Sequence, residues 1–174
     1  MVSALDQLYQ QVIMDHAAEK HGSAQVEPSD ISSHQVNPTC GDEVTLEVTL
    51  EGDTLAGLAW QGQGCSISQA SLSMMNDLVA GKSLAEIEQL WKDFDQMMHS
   101  RGQEVPDEIL DPLEDAASLQ GTSKFPNRVK CALLGWMALR ESIAKTQARQ
   151  ENPGRPLQWA APPPEEAPQI LRQM

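Results

Sequence analysis

The chain is short of cysteine, of aromatic residues, of cations and of long apolar runs, and each shortage removes a class of protein. There are 3 cysteines in 174 residues, an odd number, so a disulfide framework is the wrong expectation; metal binding, a reactive thiol or inert burial remain. Lys and Arg number 12 against 25 Asp and Glu, a formal charge of -13, and such a surface repels phosphate backbones, which argues against nucleic acid as a partner. No segment approaches the roughly 18 apolar residues that span a bilayer, so no membrane is expected either. The opening MVSALDQLYQQVIMDHAAEK breaks its apolar residues with Asp and Gln, unlike a secretory signal. The expected compartment is the cytoplasm.

What is there reads as one domain over residues 1–150, long enough to bury a core without staples. Leu5, Leu8, Tyr9, Val12, Ile13 and His16 recur at helical spacing and predict a first helix with one buried stripe, ended by Gly22. Val44, Leu46, Val48 and Leu50 alternate as in a half-buried strand; a turn at Gly52 and Asp53 leads to a second strand over 54–61, and a third is expected over 32–36. Ser66 with Gln69, and Ser83 with Glu86, match capping boxes that open two further helices. A shorter helical pattern covers 106–120, and Pro126 is placed to start a last helix that ends near Gln150. The methionines at 74, 75, 97 and 98 read as core filler. Residues 151–174 are proline-rich and aperiodic, which predicts a disordered acidic tail in which Trp159, Ile170 and Leu171 are isolated apolar residues. The fold class is therefore α+β, a small antiparallel sheet packed with helices.

Three short stretches carry the chemistry: NPTCGD around Cys40 and Asp42, GQGCSIS around Cys65, and FPNRVKC ending at Cys131. Pro38 stiffens the approach to Cys40, and Gly41 removes bulk between Cys40 and Asp42. Cys65 precedes a helix and Cys131 lies near the start of another, where free amides and the helix dipole favour a thiolate. Three thiolates and a carboxylate suit tetrahedral zinc in a coordinatively full site. By spacing alone, however, metal ligation and inert burial both stand. Arg128, one helical turn before Cys131, is placed to steady a thiolate or persulfide anion. His16, His21, His34 and His99 have no ligand-like spacing.

NPTCGD, GQGCSIS and RVKC in this order, each centred on a cysteine at an element boundary, resemble the SufU family, relatives of the IscU and NifU amino-terminal scaffold proteins. The resemblance spans roughly residues 5–148. Lys130 stands where IscU-type proteins carry a histidine, the stretch from Gly102 to Gly121 corresponds to the insertion that marks SufU proteins, and the LPPVK motif of IscU is missing.

The resemblance implies one zinc ion on Cys40, Asp42, Cys65 and Cys131. It further implies a sulfurtransferase for iron-sulfur cluster assembly in the SUF system. Cys40, with Arg128 beside it, would accept persulfide sulfur from a SufS-type cysteine desulfurase and pass it toward a downstream SUF scaffold. In the family a desulfurase histidine replaces the acceptor cysteine on zinc. Two alternatives share the same residues: a scaffold on which a [2Fe-2S] cluster is built, and a non-catalytic interaction module whose zinc only holds the fold.

Overall fold

The computed structural model describes residues 3–153, so the residues beyond 153, with Trp159, Ile170 and Leu171, lie outside the described part. Helix α1 covers Ala4–Glu19, and strands β1 (Ser33–Asn37), β2 (Asp42–Glu51) and β3 (Thr54–Gln63) follow. Helices α2 (Ser66–Val79), α3 (Leu84–Met98) and α4 (Asp107–Leu110) come next. A run of 3-10 turns over Asp111–Lys124 then leads into α5 (Pro126–Glu151). The three strands form one antiparallel sheet in the order β1-β2-β3, so the expected α+β class and the sheet both hold.

Alternation in β2 explains the layering. Val44, Leu46, Val48 and Leu50 are buried while the intervening residues stay partly open, so one face of the sheet takes the helices and the other faces water. Helix α5 lies against β1, β2 and α2. Its approach to α2 is close because position 135 is glycine: a Cβ there would sit 2.5 Å from Leu72 Cδ2. Trp136 on α5 stacks on Phe94 of α3, with ring centroids 5.1 Å apart, and Met74, Met75, Met97 and Met98 fill the space around them as expected. Pro126 opens α5 at its first position, where the missing N–H costs nothing. Twenty-six residues carry that helix about 39 Å across the molecule.

Four expectations need correction. The first helix does not bury one continuous stripe: Leu5 and Leu8 are 53% and 58% exposed, and of its residues only His16 is buried. Apolar spacing locates a face but does not say how far along the helix a partner extends. The helix ends before Gly22, at Lys20, which adopts the left-handed cap conformation (φ 50°). Gly22 is required instead by Asn76, whose Oδ1 would lie 2.4 Å from a Cβ there. The Ser66/Gln69 box is out of register, because Cys65 is the N-cap of α2, and it caps with no side-chain hydrogen bond. Finally, the pattern over 106–120 yields only the four-residue α4 and 3-10 turns, interrupted at Glu114 (φ 49°, ψ -125°). Pro112 lacks the N–H that a regular helix needs there. Ser83 does cap α3, accepting the Glu86 N–H at 3.2 Å.

Candidate metal and sulfur site

Each cysteine is delivered by a different junction. Cys40 occupies the turn between β1 and β2, Cys65 ends the segment after β3 and caps α2, and Cys131 lies in the second turn of α5. The β1–β2 turn is built by Asn37. Its carbonyl accepts the N–H of Cys40 at 3.3 Å and of Gly41 at 2.9 Å, and its side-chain oxygen accepts the Thr39 N–H at 3.2 Å. Gly41 is needed for its backbone angle, φ +73°, and not for lack of bulk, since nothing lies within 4 Å of a Cβ at that position.

These junctions bring Cys40, Asp42 and Cys131 together, with one donor atom from each within 4.8 Å of the others. Cys65 Sγ is 4.0 Å from Asp42 Oδ2. Asp42, 0% exposed, is aimed by the Cys65 backbone, whose N–H donates to Oδ1 at 2.8 Å. Gly64 makes that contact possible: a Cβ there would stand 2.3 Å from Asp42 Oδ1 and 2.7 Å from Ser68 Oγ. Cys131 is buried, whereas Cys40 and Cys65 are exposed. Its Sγ takes a contact from Asn37 Nδ2 at 3.7 Å and donates to the Asn127 carbonyl at 3.4 Å.

The helix-start argument for an acidified Cys131 thiol fails. Burial pushes this thiol far above its ordinary value, and the crowded Asp42, Cys40 and Cys65 push it further. Its place in the second turn of α5 sets it beyond the free amides of the first turn, so desolvation wins over the dipole. Arg128 is exposed, and its guanidinium lies 5.3 Å over the Phe125 ring. It lines, with Cys40, Cys65 and Cys131, a cleft of about 770 Å³ whose other walls include Ile13, Met14 and Ile67. Lys130 is exposed.

The donors that the structure gathers, two thiols and one buried carboxylate, fit a divalent cation of zinc's softness, and Cys65, outside that group but 4.0 Å from Asp42 Oδ2, is the fourth candidate at its edge. Asn37 and Gly64 were not singled out by sequence reasoning, although both lie inside the motifs. The Asn-Pro pair was the available signal for the first.

With this geometry in view, comparison with known proteins assigns the lineage. The NifU-like N terminal domain family matches residues 8–132. The chain belongs to that family. It is 43% identical over 143 residues to the zinc-dependent sulfurtransferase SufU of Bacillus subtilis (strain 168), covering 82% of this chain and 94% of that protein. It is 40% identical over 150 residues to the iron-sulfur cluster assembly scaffold protein IscU of Streptococcus pyogenes serotype M1, covering 86% and 91%. Among solved structures, the SUF-system scaffold protein SufU of Fervidobacterium islandicum AW-1 superposes with a TM-score of 0.61 at 33% identity, covering 77% of this chain and 95% of that one. The SufU resemblance and the fold stand on these findings. Among the described residues, no helix is long and apolar enough to cross a membrane.

Proposed function

We propose that this chain is a zinc-dependent sulfurtransferase of the cytoplasm that accepts persulfide sulfur on Cys40 from a SufS-type cysteine desulfurase and hands it on toward a downstream SUF scaffold. The observation that carries this reading is the inequality of the donors: Asp42 and Cys131 are buried, Cys65 is exposed but sits at the N-cap of α2 with its N–H on Asp42, and Cys40 is exposed on a four-residue turn that lines the cleft. Zinc on Cys40, Asp42, Cys65 and Cys131 would supply a positive charge that holds the thiols as thiolates.

The chain's own residues then do the following. The Cys40 thiolate attacks the outer sulfur of the desulfurase persulfide, the desulfurase sulfur–sulfur bond breaks, and the desulfurase thiolate leaves with the electron pair. Cys40 is left as a persulfide. Asp42 and Cys131, fixed by the Cys65 N–H and by Asn37, keep their positions while the turn moves. Arg128, across the cleft, offers its guanidinium to the terminal persulfide anion.

The experiment is turnover of the cognate desulfurase with L-cysteine, with and without this protein, combined with persulfide labelling. Stimulation and label on Cys40 are expected, and both vanish in Cys40→Ala. Normal stimulation by that variant overturns the acceptor assignment.

A second reading, a [2Fe-2S] assembly scaffold on the same four residues, draws support from the scaffold names of the Streptococcus and Fervidobacterium relatives. Iron and sulfide in stoichiometric amounts after oxygen-free purification favour it; zinc alone favours the first.

A further inference from the structure

The four histidines look unrelated along the chain, but the fold brings two of them to one place. His16 in α1 and His21 just beyond its end lie with ring centroids 5.1 Å apart. Each ring has one nitrogen held from outside by a carboxylate. His16 Nε2 is 2.9 Å from Asp115 Oδ2, and His21 Nε2 is 2.8 Å from Glu19 Oε2. Carboxylates so placed keep the proton on Nε2 and turn the lone pair of Nδ1 inward, as they do behind metal-bound histidines. Asp77 of α2 completes the group, with Oδ2 2.7 Å from His21 Nδ1. One donor atom from each of His16, His21 and Asp77 lies within 4.8 Å of the others.

We propose that His16 and His21, through Nδ1, and Asp77, through a carboxylate oxygen, form a second metal site for a zinc-like divalent ion, separate from the cysteine cluster. Two imidazoles and a carboxylate match that ion class and leave a fourth position for water. The metal-free geometry has a telling feature. With Glu19 2.8 Å from Nε2 and Asp77 2.7 Å from Nδ1, both nitrogens of one ring face carboxylates, and a cation between Nδ1 and Asp77 is bound by both.

The ion takes the place between His21 Nδ1 and Asp77, and any proton held there leaves to solvent. Ser73 makes room: its hydroxyl now meets His16 Nδ1 at 2.7 Å while accepting the His21 backbone N–H at 2.9 Å. It can turn instead to the carbonyl one turn back in α2. Ser73, His16 and Asp115 resemble a hydrolytic triad in order, but Ser73 is 0% exposed and no substrate reaches it.

The test is a zinc titration of the full chain, with bound metal counted after gel filtration and the imidazole resonances followed by NMR. Wild type is expected to take two equivalents, the His16 and His21 resonances shifting with one of them. His21→Ala, at a half-exposed position, is expected to take one equivalent and to keep desulfurase stimulation. A wild type that shifts no imidazole resonance overturns the proposal, as does a His21→Ala variant that still takes two. The histidine readout also survives in Cys131→Ser, so failure of the cysteine site is scored separately.

Discussion

Asp42 Oδ1 accepts the backbone N–H of Cys65 at 2.8 Å, a bond that ties the first residue of β2 to the N-cap of α2. Two of the four candidate ligands are therefore held by a single contact that passes over Gly64. The carboxylate satisfies the N-cap's own N–H, the bond that an N3 side chain makes in a capping box, while Cys65 itself makes no side-chain capping bond.

That contact predicts the behaviour of Gly64→Ala. The new methyl would stand 2.3 Å from Asp42 Oδ1, so the carboxylate must swing away. Expected are a stability loss of about 1–3 kcal/mol in urea denaturation and loss of metal from a protein whose circular dichroism is unchanged. Full metal content in this variant would show that Asp42 is not held where it matters.

Asp42→Asn separates shape from charge. The amide oxygen can still accept the Cys65 N–H, but the anion is gone. Metal release to a chelator should be faster by roughly 10- to 100-fold, with thermal stability of the metal-free forms nearly equal.

His21 sets a pH dependence whose direction follows from its partners. The Asp77 hydrogen bond, with help from Glu19, raises its folded value above 6.5. Its contribution to stability is therefore fully present below pH 6.5 and is lost as pH rises through the folded value. The ring is more than a third exposed, so salt should weaken the effect. An NMR titration with the second metal site empty should find the His21 midpoint above 6.5 and lowered in Asp77→Asn.

Phe94→Ala tests the core beneath the helices. Removing a ring that is 0% exposed and stacked on Trp136 should cost about 3–5 kcal/mol, read as a lower midpoint in denaturant. Metal stoichiometry below that midpoint should stay at the wild-type value, because the stack joins α3 to α5 and touches none of the four ligands.

Sequence carried the hairpin strands and the long helices because period and partner agree there: from Val44 to Leu50 every second residue of β2 is apolar and every one of those is covered. It carried α5 through Pro126 for a similarly local reason. Where burial depends on a distant element, the pattern misled. Leu5 and Leu8 have the spacing of core residues, yet the packing partner of α1 stops short of them. Cys131 looked acidified by its helix when its burial does the opposite. His16, His21 and Asp77 share no motif at all, since only the packing of α1 against α2 makes them neighbours. The cysteine motifs were legible as strings, but Asn37 and Gly64, which aim the ligands, act through contacts that no spacing rule encodes.

The three cysteines come from the β1–β2 turn, the start of α2 and the second turn of α5, and this has a consequence for biosynthesis. A ribosome must deliver the chain through Cys131 before a complete donor set exists, and α5 must pack before Cys131 faces Asp42. A nascent chain that stops short of α5 offers two thiols and one carboxylate in open solvent. Complete assembly of the site therefore reports that the chain has been made through Cys131 and that α5 has packed against the sheet.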